Sequence, residues 1–197
     1  KACAEILINS YYQSFLKKNK KINLASVRAG NVIGGGDWSK NRLLPDIFSN
    51  YFNNKKFIIR NPNSTRPWQH VLEPLSGYLS LAEQLFKNPD EFSEAWNFGP
   101  YDSDVRPVDW ILDQMTTLWP GASWRLDQDD NPHEAMLLKL DISKASSILG
   151  WTPTWDLDVT LGKIVRWHKH WVQGADMRAE CVNEINEFTK DMRHANN

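Results

Sequence analysis

With 197 residues, 41% hydrophobic side chains and a net charge of −1, the chain is long enough to bury a core and too neutral for a dedicated nucleic-acid binder. No apolar run approaches the roughly 20 residues that span a bilayer, so neither a nucleic acid nor a membrane is an expected partner. The two cysteines, Cys3 and Cys181, lie far apart with no metal-ligand or redox spacing, which suits a reduced cytoplasmic protein.

The chain opens on a helical pattern. Ile8, Tyr11, Tyr12, Phe15 and Leu16 repeat at helical spacing, and Cys3, Leu7 and Tyr11 widen the stripe. A helix over 1–16, buried on two sides, is predicted. The basic run 17–21 ends it. Residues 22–29 are short, partly β-branched and bounded by turn signals, so they read as a buried parallel strand. A loop over 31–38 then carries Gly34, Gly35 and Gly36. A helix at 45–52, a strand at 57–60 and a loop at 61–67 follow. Beyond them come a helix at 75–86, a strand at 95–98 and a helix at 108–118. The last third reads as a strand at 137–140, a helix at 143–149, a turn at 150–153 and a helix at 157–171. Gly174 marks a break before a final helix carrying Met177, Cys181, Ile185, Phe188 and Met192. Alternating helix and strand is the α/β pattern. One strand with one crossover does not make a doubly wound sheet, so the chain reads as the later part of an α/β domain.

Candidate chemistry is sparse. The glycine triplet is followed by neither a Lys-Ser/Thr pair nor a helix-opening G-x-G-x-x-G pattern; it reads equally as a tight turn or as close backbone approach to a ligand. Arg28, Arg42, Arg60 and Arg66 sit near strand ends, where guanidinium groups suit a diphosphate. Asn31 and Asn97 follow or end predicted strands, where open α/β sheets bind ligands. His168 and His170 fall on different helix faces, so no metal site is expected. Cys3 reads as a packed small residue. Ten tryptophans suit stacking on sugars or bases and equally suit cores and interfaces.

Several runs together resemble a known family. They are Lys1-Ala2-Cys3-Ala4-Glu5, Val27 to Trp38 with its Gly34-Gly35-Gly36-Asp37-Trp38 ending, Ile59-Arg60-Asn61-Pro62, Arg66-Pro67-Trp68-Gln69-His70-Val71-Leu72-Glu73-Pro74, Asn97-Phe98-Gly99-Pro100, Pro132-His133-Glu134-Ala135 and Leu149-Gly150-Trp151-Thr152-Pro153. The chain is similar, up to about Trp171, to the C-terminal part of the extended short-chain dehydrogenase/reductases, and most of all to the CDP-glucose 4,6-dehydratase family. That resemblance implies an α/β fold: the C-terminal part of a Rossmann-type domain with its smaller sugar-nucleotide-binding domain. Residues 1–36 would be the Rossmann remnant. Residues 37–173 would be mainly the substrate domain, with returning Rossmann elements near 68–98, and 174–197 a C-terminal helix.

The implied activity is a lyase reaction. CDP-D-glucose loses water to give the 4-keto-6-deoxy sugar, while a tightly bound NAD takes hydride from C4 and returns it to C6, in deoxysugar and polysaccharide biosynthesis. Lys1 would be the Lys of the family's Tyr-x-x-x-Lys pair, contacting the nicotinamide ribose and lowering the Tyr pKa. Asn31 and Arg66 would meet the diphosphate. Arg42 and Leu43 would touch the nucleotide, Ile58 and Arg60 would flank the base, and Asn97, His133 and Glu134 would complete the substrate pocket. The Arg usual just upstream of His133 is replaced by Asp129-Asp130-Asn131. By the same resemblance the cofactor loop and the remaining catalytic residues would precede Lys1, on the order of 150 residues. The chain alone is then expected to be inactive, and the full protein a homo-oligomer. Other nucleotide-sugar dehydratases or epimerases, or a non-catalytic sugar-nucleotide-binding module, are the competing readings.

Overall fold

The structure is a computed structural model that describes residues 2–18, 22–53, 55–121, 123–127 and 135–195. Helix α1 (Ala2–Tyr11) runs into a wider π-type turn, Tyr12–Leu16. Strand β1 (Ser26–Ala29) passes through Gly30 into β2 (Asn31–Ile33), and α2 (Leu43–Phe52) leads to β3 (Phe57–Ile59). Next come β4 (Thr65–His70), α3 (Leu72–Lys87), α4 (Pro89–Phe92) and β5 (Ala95–Phe98). The chain continues through β6 (Val105–Pro107), α5 (Val108–Leu118), β7 (Trp124–Leu126), α6 (Ser143–Ser147), α7 (Leu157–Val172) and α8 (Met177–Ala195).

Three small sheets result. β1 pairs in parallel with β5, placing Arg28 opposite Asn97. β2 pairs in parallel with β4, whose first half pairs antiparallel with β6. β3 and β7 form a parallel pair. Gly30 lets the chain change partners between β1 and β2: a Cβ there would lie 2.4 Å from the Pro67 carbonyl oxygen.

Apolar side chains gather into two clusters. The larger joins Leu44, Ile47, Phe48 and Tyr51 of α2, Ile111, Leu112 and Met115 of α5, and Leu161, Ile164 and Val165 of α7 to Phe57, Ile59 and Trp68. The smaller joins Leu81, Phe92, Trp96, Phe98, Ala145 and Trp151. Glu73 is also buried, accepting hydrogen bonds from the backbone amides of Thr154 and Trp155 at 3.0 and 2.8 Å. At α7 the Asp156 side chain caps the helix by accepting from the Val159 amide, 2.8 Å away. Helix α8 then lies along α7, where Arg166 pairs with Glu180 and Glu187 and Lys163 with Glu187.

Several expectations need correction. Helix α1 has no buried residue: Cys3, Ile6, Leu7 and Tyr11 are all exposed, and Phe15 of the π-type turn with them. Its described ties to the sheet are polar, Glu5 accepting from Ser26 and Arg28. The expected loop over 31–38 begins instead as β2, which pairs with the second half of β4, and that over 61–67 already contains the start of β4, which pairs with β6. β6 and β7 were not expected at all; three residues are too few to show a period. The strand expected at 137–140 is reduced to a single bridge between Leu137 and Thr65, with Met136, Leu137 and Leu138 exposed.

Candidate functional site

A cavity of about 790 Å³ opens between the start of β2, the first turn of α2, strand β3 and Arg66 of β4. That volume is in the range of small-molecule sites. Its lining includes three arginines (Arg42, Arg60, Arg66), two aspartates (Asp37, Asp46) and the asparagines Asn31, Asn41 and Asn61. Local structure explains how each side chain reaches the cavity. Strand alternation turns Phe57 and Ile59 into the core and leaves Ile58 on the opposite face, 45% exposed. Two residues along, Arg60 shares that side. Pro67 restricts the backbone next to Arg66, and the β4–β6 pairing fixes its register opposite Arg106.

Arg66 is only 7% exposed, and its guanidinium donates to the Thr65 carbonyl at 2.9 Å. A cation held so deeply yet bordering a cavity suits a bidentate anion better than bulk water. Arg42, by contrast, is largely exposed and pairs with Asp37 at 3.2 Å. Partial burial pushes the Asp37 carboxyl up, but the Ser39 amide and hydroxyl and the Arg42 charge outweigh it and hold the group below the usual carboxylate range. Asn41 adopts a left-handed backbone, φ 62°, in the tight turn that presents Arg42.

Six of the sequence candidates therefore border one cavity: Asn31, Arg42, Leu43, Ile58, Arg60 and Arg66. Asn97 lies apart from it. Its amide oxygen accepts from Arg28 at 3.2 Å and its nitrogen donates to the Asp141 carbonyl at 3.1 Å. Arg28 lies within β1, bound to Glu5. Lys1, His133 and Glu134 fall outside the described residues. The glycine triplet is a packing device. A Cβ on Gly34 would meet Val71 at 2.9 Å, and one on Gly35 would fall 2.2 Å from the Trp167 ring, while Gly36 has φ +77°. Sequence reasoning missed Asp37, Asn41, Asp46 and Asn61. Asn41 alone carried a local signal, as a residue type that tolerates positive φ.

His168 of α7 is a core residue. His168 stacks on Phe48, ring centroids 3.6 Å apart, and its Nδ1 lies 2.8 Å from the Ile164 carbonyl. Burial drives its pKa down to about 4, although that contact opposes the shift. Among the described residues no group of His, Cys, Asp and Glu is arranged to hold a metal ion, and no helix is long and apolar enough to cross a membrane.

No family model matches the chain. It is 53% identical over 193 residues to the CDP-glucose 4,6-dehydratase of Salmonella typhimurium, covering 95% of this chain and 54% of that protein. The chain thus spans about half the length of the curated relative it matches. Among solved structures it resembles the UDP-glucuronic acid 4-epimerase of Bacillus cereus in complex with UDP-glucuronic acid and NAD (TM-score 0.69, 21% identity, 85% of this chain and 50% of that one). It also resembles the dTDP-glucose 4,6-dehydratase of Bacillus anthracis in complex with NAD (TM-score 0.65, 17% identity, 86% and 50%). At those identities the structural likeness speaks for the fold. Over nearly its whole length, then, this chain is a relative of CDP-glucose 4,6-dehydratase, with the α/β fold of the extended short-chain dehydrogenase/reductases.

Proposed function

We propose that this chain supplies the sugar-nucleotide-binding part of a CDP-glucose 4,6-dehydratase, the lyase that converts CDP-D-glucose to CDP-4-keto-6-deoxy-D-glucose and water. The observation that carries the reading is the convergence of Asn31, Arg42, Leu43, Ile58, Arg60 and Arg66, from four separate stretches of chain, on one cavity. In it Arg66 and Asn31 meet the diphosphate, and the slot between the first turn of α2 and β3 takes the base. Ile58 offers an apolar face to that base, and the Arg60 guanidinium can stack on it. The three guanidinium groups exceed the two wall carboxylates by one charge, so the cavity favours an anion.

NAD is the redox partner this reading requires, and the two solved neighbours named above are NAD complexes. The described residues do not fit it: their one run of consecutive glycines is filled by Val71 and Trp167 and opens no helix. The work of the described residues is accordingly to bind and orient the nucleotide sugar. Calorimetric titration of the 197-residue chain with CDP, UDP and dTDP tests the proposal. Binding of CDP in preference to the other two is expected; a chain that binds none of the three overturns it.

A further inference from the structure

Asp37 and Asp46 are the two carboxylates in the cavity wall, and they differ in what they already do. Asp37 is engaged by Arg42 and by the Ser39 backbone. Asp46 sits in the first turn of α2, on the stripe it shares with Leu43 and Asn50, beside the core face of Leu44, Ile47, Phe48 and Tyr51. Its backbone is fully employed, the amide donating to the Arg42 carbonyl at 3.0 Å and its own carbonyl accepting from the Asn50 side chain at 2.8 Å. Asp46 lines the cavity together with Phe57, Ile58, Ile59 and Arg60 of the β3 segment.

We infer that Asp46 reads the base: its carboxylate accepts a hydrogen bond from the exocyclic amino group of a cytosine held between the first turn of α2 and β3. The inference rests on the nucleotide-binding role proposed above and adds what distinguishes one pyrimidine from another. Cytosine offers an N–H donor at position 4, whereas uracil and thymine present a carbonyl oxygen there. A carboxylate accepts only, so it pairs with cytosine and meets the other two lone pair against lone pair. A site built to accept a proton discriminates more sharply than an apolar slot, because the wrong ligand leaves a desolvated charge unpaired. The competing role for Asp46 is electrostatic, a negative charge at a helix N-terminus, which stabilises α2 whatever base is bound.

The ratio of CDP to UDP affinity separates the two roles. It is read by competitive titration of wild type and Asp46→Asn, with thermal unfolding of both to report folding. Asn can turn its amide nitrogen toward a carbonyl oxygen, so the variant is expected to lose at least tenfold in its preference for CDP over UDP, with UDP binding improved. Asp46→Leu, which neither accepts nor donates, is expected to bind the two nucleotides with similar affinity. A wild type that prefers CDP, with the preference unchanged in both variants, overturns the role of Asp46 and leaves the nucleotide site standing. A wild type that binds neither nucleotide overturns the nucleotide site itself and this role with it.

Discussion

Arg66 combines near-complete burial with a place in the cavity wall, so its charge is desolvated before any ligand arrives. A phosphate there makes a charge-assisted contact of roughly 1.5–3 kcal/mol. Replacing Arg66 with Ala is expected to weaken CDP binding about 10- to 100-fold, and Lys to restore part of the loss, since an ammonium keeps the charge without the planar fork. Calorimetry on both variants measures this; equal affinity in wild type and Arg66→Ala would remove Arg66 from the site. Two buried groups contribute to the pH dependence of stability, with opposite signs. Burial lifts the Glu73 carboxyl from 4.5 to about 7, against the pull of the Thr154 and Trp155 amides. The folded state then holds its proton more tightly than the unfolded one, so Glu73's contribution is full below pH 4.5 and declines as pH rises to about 7. His168, depressed from 6.5 to about 4, contributes fully above pH 6.5 and loses that contribution as pH falls toward 4. Each shift corresponds to about 3 kcal/mol at its limit. Between pH 4.5 and 6.5 the two slopes oppose each other. Urea unfolding across this range should show Glu73→Gln gaining stability relative to wild type as pH rises, and His168→Phe gaining as pH falls. Parallel curves for variants and wild type would contradict the assignment.

At the level of elements, three short sheets are held in place by close approach at a few glycines. Gly30 is the sharpest case, because the atom in its way is a backbone carbonyl of β4 that cannot rotate aside. Gly30→Ala should separate β2 from β4, lower the melting temperature by an amount equivalent to roughly 1–3 kcal/mol, and weaken CDP binding, since Arg66 and Asn31 flank that contact. Gly162, in the interior of α7, is the converse: a Cβ there meets nothing within 4 Å. Gly162→Ala should raise the melting temperature, by up to about 1 kcal/mol of helix propensity, and leave CDP binding unchanged. Differential scanning calorimetry distinguishes these outcomes. The same melting temperature for both variants would mean that the Gly30 approach does not constrain the fold.

Across the whole molecule, apolar surface is distributed unevenly. The α2–α5–α7 cluster is closed, whereas α1 and the π-type turn after it expose Ile6, Leu7, Tyr11 and Phe15, and α3 exposes Leu75, Leu79 and Phe86. The α1 residues recur at spacings that join them along the helix, and such a surface in water favours association. The 197-residue chain is therefore expected to scatter light as oligomers at micromolar concentration, and replacing Leu7, Tyr11 and Phe15 with Glu, Lys and Gln should return it to a monomer. A wild-type chain that is monomeric under those conditions would count against the expectation. Helix α8 behaves differently: its partners on α7 are mostly charged, and of its described residues only Glu184, beside His70, and Phe188, against Trp155, are buried. Its docking should weaken with added salt, as surface ion pairs do.

Periodicity and turn chemistry in the sequence were enough for the α/β class and for helices α2, α3, α5, α7 and α8, because each has a face whose burial pattern is written locally. β5 was legible for a related reason: Ala95, Trp96, Asn97 and Phe98 alternate between two faces. The motifs also carried the resemblance and, through it, six residues of the cavity. Tertiary structure decided the rest. β2 and β4 exist because each supplies the other's hydrogen bonds across more than thirty residues of chain, a partnership no local window contains. The glycine triplet owes its meaning to Trp167 and Val71, which arrive from distant segments and turn an apparent phosphate loop into packing space. Asn97 reads in sequence like any strand-end ligand residue; only the register opposite Arg28 shows its amide already engaged. Asp46 reads as an acidic first-turn residue, and only the approach of β3 places it at a cavity wall. A pattern along the chain specifies which face a residue takes, whereas its neighbour on that face is set by strand register and helix packing.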